Sequence, residues 1–320
     1  MRYLVTGGAG FIGSHLTQRL LHDGHQVTIL DTFTTGRHEN LADLSHSNLT
    51  IFDGSILDRP LLKKLAADVD FIFHLAAAVG VFNIVRDPLR SLQTNIQGTE
   101  SVLEVAKELG LPLLVTSSSE VYGKNTSDKL NEDDDRVLGP TSIARWSYSE
   151  AKAIDEFLAI SFHKEFSLPT RIVRLFNTVG PRQVGNYGMV IPRFVSSALK
   201  NENIEIYGTG EQTRCFTHVL DVIDALLLIS NSDNTIGEVI NIGNNSEITI
   251  SNLAKKIISM TDSNSEIVYK KYEEVYEKDF EDMQRRVPDI SKIKRLTGWA
   301  PTRDLDSILL DVIAHEKNGR

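Results

Sequence analysis

Residues 1–31, MRYLVTGGAGFIGSHLTQRLLHDGHQVTILD, contain the pattern that decides the fold. Tyr3–Val5 is a short apolar run typical of a buried parallel strand, and apolar residues recur at helical spacing from Phe11 to Leu21. Val27–Leu30 predicts a second strand. Between the first strand and the helix lie three glycines spaced G-x-x-G-x-x-G: Gly7, Gly10 and Gly13. The stretch therefore predicts a βαβ unit with a glycine turn between its first strand and its helix.

This turn is suited to the pyrophosphate of a dinucleotide. The predicted helix directs free N–H groups and its positive dipole end at the turn, and glycines let the backbone approach a ligand closely. Asp31 ends the second strand, where a carboxylate can accept hydrogen bonds from a ribose diol and would repel a 2′-phosphate. A tight turn without a ligand is the alternative. The order of strand, turn, helix, strand and acidic residue favours nucleotide binding, with NAD preferred over NADP.

The composition excludes several other classes of function. The 320 residues are 41% hydrophobic and 24% charged, as is common in soluble globular proteins, and the net charge of −9 argues against nucleic-acid and anionic-membrane partners. The single cysteine, Cys215, excludes an internal disulfide and a cysteine-based zinc site. No apolar run is long enough to span a bilayer, and the sequence begins directly with a strand, so we expect a cytoplasmic protein.

Strand-like and helix-like segments alternate through residue 179, which predicts an α/β fold with a parallel sheet covered by helices on both faces. Ligands of such sheets bind beyond the carboxyl ends of the strands. Small or polar residues are expected at these ends: the glycine turn, Asp31, Ala76–Ala78, Ser117–Glu120 and Asn177. The sequence therefore predicts one crevice that is reached from five segments.

The pattern changes after Pro181, where segments become shorter and charge becomes denser. We expect residues 180–320 to form a smaller α+β lobe that closes the crevice, with residues 270–287 as a charged loop. Within this part, residues 219–245 contain one helix and one buried strand that can pack back on the main sheet. We therefore do not expect one boundary near residue 180 to separate the two domains completely.

Tyr148 and Lys152 form a Y-x-x-x-K pair on one face of a predicted helix. A phenol is a poor base at its usual pKa of about 10, and a neighbouring ammonium lowers that pKa. Such a pair alone is typical of a solvated helix face. It gains weight because the preceding strand ends in Ser117–Glu120, whose hydroxyls can bridge a substrate and the phenol. The alternative for these serines is a capping or turn cluster.

Further motifs follow in a fixed order along the chain: GGAGFIG at 7–13, HLAA at 74–77, SSSEVYG at 117–123, RLFN at 174–177, GPR at 180–182, YGTG at 207–210 and QTR at 212–214. With the Tyr148–Lys152 pair, they make nearly the whole chain resemble an extended short-chain dehydrogenase/reductase of the nucleotide-sugar epimerase, dehydratase and decarboxylase group. The resemblance implies a Rossmann-like, doubly wound NAD-binding domain over 1–179 and a nucleotide-sugar lobe over 180–320.

The same resemblance implies a tightly held NAD that oxidises the sugar C4 hydroxyl and is regenerated in the same cycle. It also implies a homodimer that pairs through the helices around 89–109 and 147–165. The residues that it assigns to the cofactor are Gly7, Gly10, Phe11, Ile12, Gly13, Asp31, Ser55, Ile56, Leu75, Ala76, Ala77, Asn95 and Lys152.

By this resemblance, Tyr148 is the base at the C4 hydroxyl, Lys152 tunes it, and Ser118 shares its hydroxyl with phenol and substrate. Asn177 and Arg214 would hold the diphosphate. The residues assigned to the substrate are Ser118, Ser119, Asn177, Val190, Ile191, Tyr207, Arg214 and Arg286.

Three details resemble UDP-glucuronate decarboxylases: Glu120, the run Arg145–Ser149, and the run Arg285–Asp289, which places Arg286 at the active site. In such enzymes, oxidation at C4 creates a β-keto acid that loses carbon dioxide, here giving UDP-xylose, with Glu120 assisting and Arg286 steering the carboxylate. A UDP-sugar 4-epimerase is the alternative. A 4,6-dehydratase ranks third, because Ser119 takes the position of its aspartate, and a non-catalytic NAD-binding protein ranks below it.

Overall fold

The computed structural model describes residues 1–44, 47–78, 87–185, 189–271, 283 and 285–319. The strands, in chain order, are β1 (Arg2–Thr6), β2 (Gln26–Asp31), β3 (Leu49–Asp53), β4 (Phe71–His74), β5 (Leu113–Ser118), β6 (Thr170–Leu175), β7 (Thr178–Val179), β8 (Ile204–Tyr207), β9 (Thr213–Cys215), β10 (Thr217–His218), β11 (Val239–Ile242), β12 (Glu247–Thr249) and β13 (Ile267–Lys270).

The α-helices alternate with these strands. They are α1 (Phe11–His22), α2 (Arg59–Ala66), α3 (Pro88–Leu109), α4 (Trp146–Phe166), α5 (Val190–Leu199), α6 (Val219–Ser230), α7 (Ile250–Thr261), α8 (Ser291–Thr297) and α9 (Leu305–Lys317). None of the helices in the described part of the chain combines the length and the apolarity that crossing a bilayer requires.

A seven-stranded parallel sheet in the order β11-β6-β5-β4-β1-β2-β3 lies at the centre of the molecule. The chain runs from β1 outward to β3, and then returns to β4 on the other side of β1 and continues outward to β6. The direction therefore reverses between β1 and β4, and in open sheets a ligand crevice forms at such a reversal. The predicted α/β fold with a doubly wound parallel sheet is confirmed.

Helices cover both faces of this sheet, which explains the nearly continuous apolar character of its central strands. On one face, Leu16 of α1, Leu226 of α6 and Ile293 of α8 are fully buried in one core. On the other face, α2, α3 and α4 form a second core around residues such as Leu62 and Val102. The central strands are thereby shielded from water, whereas the edge strand β3 is partly exposed.

A third core joins α5, α7 and α9 to the residues of β8. In this part of the chain β8 pairs in parallel with β13, and β9 pairs antiparallel with β12. The main sheet also receives α6 and β11 from the C-terminal half, because Ile240 of β11 pairs with Val173 of β6. We keep the division into 1–179 and 180–320 as a proposal, with 219–245 contributing to the first part.

Helix α5 differs from the sequence prediction, which gave no helix between Pro181 and Val219. Pro192 lies in its first turn, where a missing backbone N–H costs no hydrogen bond, so the proline does not interrupt it. Most of the predicted loop at 270–287 lies outside the described residues.

Candidate active site

A cavity of about 1010 Å³ opens beyond the carboxyl ends of the central strands. Among the residues that the sequence assigned to catalysis, cofactor or substrate, all except Asn95 line it. Asn95 is 1% exposed and holds a neighbouring loop instead: its Oδ1 accepts from Ala78 N at 2.7 Å, and its Nδ2 donates to Ala78 O at 3.2 Å. Asn95 therefore supports the backbone beside the cavity and is not among the residues that line it, and its contact with the cofactor stays a prediction.

The glycine turn forms one wall of this cavity. Gly7 has a φ of +74°, and a β-carbon there would lie 2.7 Å from Ala76 N, so a side chain is excluded by both conformation and space. A β-carbon on Gly13 would lie 2.1 Å from Gly7 O, whereas one on Gly10 would lie 3.2 Å from the same oxygen. The turn thus brings the first N–H groups of α1 to the cavity, which is the arrangement that binds a pyrophosphate.

Asp31 lies at the end of β2 and is 8% exposed. Its Oδ2 accepts a hydrogen bond from Ala9 N, and its Oδ1 accepts one from Phe33 N, both at 2.9 Å. Each oxygen keeps a further lone pair, and the residue lines the cavity, so the carboxylate can still accept from a ribose diol. These residues fit the adenosine and pyrophosphate parts of NAD.

The pair Tyr148 and Lys152 lies in the first turns of α4 and faces the same cavity. The Lys152 ammonium is 2% exposed and donates to Asp155 Oδ2 at 2.9 Å. Burial lowers the pKa of Lys152, but Asp155 and Tyr148 outweigh that effect and hold the pKa above its usual value. The ammonium therefore stays charged at neutral pH.

The pKa of the Tyr148 phenol lies above its usual value, whereas the sequence predicted a lowered pKa. Burial raises its pKa above the usual value, and although Lys152 and a hydrogen bond with Ser118 lower it, they do not compensate. The physical reason is that burial disfavours the charged phenolate more than Lys152 favours it, while Glu120 and Asp155 add negative potential. The prediction of a lowered phenol pKa is therefore wrong for the protein alone, although Lys152 acts in the expected direction.

Ser118 combines the two roles that the sequence left open. Its Oγ accepts from Glu120 N at 3.2 Å and so caps a short 3₁₀ turn over Ser119–Tyr122, and it also hydrogen-bonds the Tyr148 phenol. His74 lies behind Lys152, bridging Thr6 and Thr99 at 2.8 and 3.0 Å. Burial, aided by Lys152, lowers the pKa of His74 to about 3, so this imidazole is neutral and adds no charge.

Glu120 is the centre of a second charged group in the cavity. Its Oε1 lies 2.8 Å from Arg286 Nη1, and its Oε2 lies 3.4 Å from Arg145 Nη2. Burial would raise the pKa of Glu120, but Arg286, Arg145 and Arg214 outweigh it and hold the pKa below its usual value. Glu120 is therefore a carboxylate at neutral pH, able to accept a proton or a hydrogen bond.

Arg286 reaches this position because its segment is bound to a distant loop. Leu130 and Pro288 form a parallel bridge, in which Leu130 N donates to Val287 O at 2.8 Å and Asp289 N donates to Leu130 O at 2.9 Å. Arg286 Nη1 also donates to Ser119 Oγ at 3.0 Å. The segment predicted to bring an arginine to the active site is thus fixed beside Glu120.

The substrate end of the cavity is formed by residues of the C-terminal part. Val190 and Ile191 begin α5. Tyr207 lies at the end of β8, and the centre of its ring is 4.3 Å from Arg193 Cζ. Arg214 Nη1 donates to Thr213 O at 2.8 Å, and Asn177 Nδ2 donates to Cys215 O at 2.9 Å. Both Arg214 and Asn177 line the cavity, and their role at a diphosphate stays a prediction.

The sequence analysis assigned no site role to five further arginines that line the same cavity: Arg37, Arg90, Arg145, Arg182 and Arg193. The signals were present, because Arg145 lies three residues before Tyr148, Arg182 ends the Gly-Pro-Arg motif, and Arg193 follows Val190-Ile191-Pro192. A basic side chain beside an already identified site residue, in a chain of net charge −9, is a reason to expect an anionic ligand.

Comparison with known proteins agrees with this geometry. A family model described as GDP-mannose 4,6 dehydratase matches residues 4–312. The chain is 40% identical over 313 residues to UDP-N-acetyl-alpha-D-glucosaminuronate decarboxylase of Bacillus cytotoxicus, covering 98% of this chain and 96% of that protein. It is 37% identical to UDP-glucuronic acid decarboxylase 1 of Xenopus tropicalis, covering 95% of this chain and 69% of that protein.

Among solved structures, a UDP-glucuronic acid 4-epimerase from Bacillus cereus, in complex with UDP-glucuronic acid and NAD, has a TM-score of 0.90 and 30% sequence identity, and the match covers 100% of both chains. The relatives therefore share the fold and differ in the reaction at the sugar.

Proposed function

Because this chain belongs to the GDP-mannose 4,6-dehydratase family of extended short-chain dehydrogenases/reductases, we propose that it is an NAD-dependent decarboxylase of a UDP-linked uronate. The substrate that we propose first is UDP-glucuronate, which would give UDP-xylose. The observation that carries the proposal is the position of the Glu120–Arg286 pair, which lines the same cavity as Tyr148 and Lys152. Oxidation at C4 needs Tyr148 and Lys152, whereas recognition of the carboxylate needs Glu120 and Arg286.

The chemistry follows from the groups at the two positions. Bound NAD supplies a hydride acceptor for C4 of the sugar and returns the hydride at the end of the cycle. Tyr148 takes the proton of the C4 hydroxyl, Ser118 orients that hydroxyl, and Lys152 stabilises the phenolate. The 4-ketone makes the uronate a β-keto acid. Its C5–C6 bond then breaks, carbon dioxide leaves, and the electron pair passes to an enolate at C4 and C5.

Arg286 and Glu120 would act on this second stage. The Arg286 guanidinium pairs with the uronate carboxylate and directs it, because a planar guanidinium binds a carboxylate with good geometry. Glu120 is ionised, so it can accept a hydrogen bond from a sugar hydroxyl or from a water that delivers the proton to C5. Protonation at C5, return of the hydride to C4 and return of the proton from Tyr148 to the C4 oxygen would complete a redox-neutral reaction and restore the phenol.

The direct test is to incubate the purified protein with NAD and UDP-glucuronate, and in parallel with UDP-N-acetylglucosaminuronate, the uronate named for the Bacillus cytotoxicus relative. We expect carbon dioxide and a UDP-sugar that has lost the mass of a carboxyl group. Tyr148→Phe should abolish product while the fold and NAD binding persist. A uronate that stays intact with both substrates would refute the decarboxylase.

A UDP-sugar 4-epimerase is the second candidate. It is favoured by the likeness to the Bacillus cereus epimerase and by the fact that epimerisation uses the same C4 oxidation. This candidate predicts interconversion of the gluco and galacto forms without loss of mass. The same incubations, read by mass spectrometry and by NMR of the sugar, separate the two candidates.

We also propose that the protein acts as a homodimer. Large apolar side chains are exposed on one pair of adjacent helices: Leu89 (65%) on α3, and Ile154 (38%), Phe157 (64%) and Phe166 (51%) on α4. A second copy of the chain would cover them, and in monomers exposed apolar patches of this kind are uncommon. Light scattering on a sizing column gives the mass and tests the proposal.

A further inference from the structure

Arg145 lies immediately before α4 and has no part in the chemistry at C4. Its side chain is only 7% exposed, its Nη2 lies 3.4 Å from Glu120 Oε2, and its guanidinium lies 5.8 Å from the Trp146 ring. The amino end of a helix is the electrostatically unfavourable end for a cation. Burying an arginine at that position costs free energy as well. A purely stabilising role therefore explains the position poorly.

The charges in this part of the cavity give a better explanation. Glu120 is ionised and faces two arginines, Arg286 and Arg145, each on a different carboxylate oxygen. Glu120 and these two arginines together carry one positive charge in excess, and Arg214 adds a further positive charge at longer range, so the cluster favours an anion such as a uronate carboxylate. Without Arg145 the cluster loses one of its positive charges, so the negative charge of a bound uronate would be less well compensated in a desolvated cleft.

The two contacts also fix the orientation of the Glu120 carboxylate. Arg286 binds Oε1, Arg145 binds Oε2, and the backbone N–H of Glu120 is held by Ser118 Oγ at 3.2 Å. If Arg145 were absent, Glu120 could rotate and bind Arg286 through both oxygens, since bidentate pairing is favourable for arginine and carboxylate. Arg286 would then have fewer N–H groups available to the substrate carboxylate.

We propose that Arg145 is a positioning and specificity-determining residue, which holds Glu120 so that Arg286 stays available to the carboxylate of a UDP-uronate. The proposal rests on the function proposed above and deepens it. It predicts that removing Arg145 affects uronates and leaves neutral UDP-hexoses largely unaffected.

The groups that face Glu120 define the expected pH dependence. They are Arg286 from the 285–289 segment, Arg145 before α4, Arg214 from β9 and Tyr148 from α4. Three of them are cations that favour the ionised form of Glu120. Loss of Arg145 should therefore raise the pKa of Glu120 by about one unit, which is the usual effect of one nearby opposite charge.

The test compares Arg145→Met, Arg145→Lys and a matched control, Arg136→Met, in the holoenzyme. Arg136 Nη2 lies 2.8 Å from Glu150 Oε2 of α4, and neither residue lines the cavity. We expect Arg145→Met to lower kcat/KM for the UDP-uronate by about 10- to 100-fold, the effect of one lost charged hydrogen bond. The acidic limb of the kcat/KM profile should move up by about one pH unit. Arg145→Lys should recover part of the activity, and Arg136→Met should resemble the wild type.

Calorimetry separates this proposal from the proposed function. If the wild type binds UDP-glucuronate and does not decarboxylate it, the function is refuted, but the preference for UDP-glucuronate over UDP-glucose still tests Arg145. That preference should fall about 10-fold in Arg145→Met while the affinity for UDP is unchanged. An unchanged preference with an unchanged pH profile would overturn the proposal. An equal loss of affinity for UDP-glucuronate and UDP-glucose would overturn it as well.

Discussion

Alanine substitutions at Gly10 and Gly13 should separate cofactor binding from folding, because a β-carbon would meet far more crowded surroundings at Gly13 than at Gly10. A β-carbon on Gly13 would lie 2.1 Å from Gly7 O and 2.8 Å from Gly8 Cα, both of them backbone atoms. A β-carbon on Gly10 would meet Gly7 O at 3.2 Å and no other described neighbour within 4 Å. Gly13 is thus required by packing, whereas Gly10 leaves space for a ligand.

The magnitudes follow from these distances. Alanine in place of glycine inside a helix normally stabilises by about 1 kcal/mol, but forcing an atom into packed surroundings costs about 1–3 kcal/mol or more. A backbone carbonyl at 2.1 Å cannot turn aside as a side chain can, so Gly13→Ala should destabilise the protein by roughly 2 kcal/mol net. Gly10 has a φ of −72°, which alanine adopts readily, so Gly10→Ala should cost less than about 1 kcal/mol.

The assay is thermal unfolding of the wild type and of each variant, with and without NAD. NAD at 100 times its Kd stabilises a binding-competent protein by about 2.7 kcal/mol, which is a measurable rise in Tm. Without NAD, Gly10→Ala should have the same Tm as the wild type, and adding NAD should not raise that Tm. Gly13→Ala should already unfold at a lower temperature without NAD.

Gly110→Ala is a control away from the cavity, because Gly110 has a positive φ of +67° and no described neighbour within 4 Å of a β-carbon. It should lose about 1–2 kcal/mol through backbone strain and keep the full NAD-dependent rise. The reasoning would be refuted if Gly10→Ala kept the rise, or if Gly13→Ala were as stable as the wild type.

Four further predictions concern the surroundings of the site. Lys152→Met should lower kcat by at least about 100-fold in steady-state assays, because it removes the charge that favours the Tyr148 phenolate. In the NAD-free protein, a difference titration at the tyrosinate absorbance against Tyr148→Phe should place the pKa of that phenol above its usual value, because burial outweighs Lys152. Glu156→Gln should lower the free energy of unfolding in urea by about 3–5 kcal/mol, because it breaks a buried, two-contact pair with Arg174. Phe157→Glu should give a monomer in light scattering, because it places a charge in the proposed dimer interface.

The sequence predicted the parts of the fold and site that depend on local patterns. The apolar run before Gly7, the helix after it and the acid at Asp31 form one continuous segment, so their arrangement follows from strand and helix geometry alone. The same holds for Tyr148 and Lys152, which one helical turn brings to the same face. These residues line the predicted cavity because the carboxyl ends of parallel strands meet at one edge of the sheet.

The remaining features depend on contacts between distant residues, which a single sequence does not specify. Asn95 has the spacing of a helix residue near the cofactor, but its amide binds Ala78 across the loop. The pKa of Tyr148 depends on its burial and on the charges of Lys152, Glu120 and Asp155. Asp155, which pairs with Lys152, looks like an ordinary surface acid in the helical pattern. Helix α5 was not predicted, and Pro192, which lies in its first turn, does not interrupt it.

The two charged groups of the site differ in how they depend on the fold, and this difference bears on which reaction the protein performs. Ser118, Tyr148 and Lys152 are supplied by β5 and α4, which pack directly against each other. Arg286 instead comes from a segment held by the bridge between Leu130 and Pro288. The positions of the oxidation group therefore depend only on the packing of β5 and α4, whereas the carboxylate group also needs a separate segment to lie at one particular place. We infer that the reaction at the sugar is set by that segment, so breaking the bridge should impair decarboxylation more than oxidation at C4.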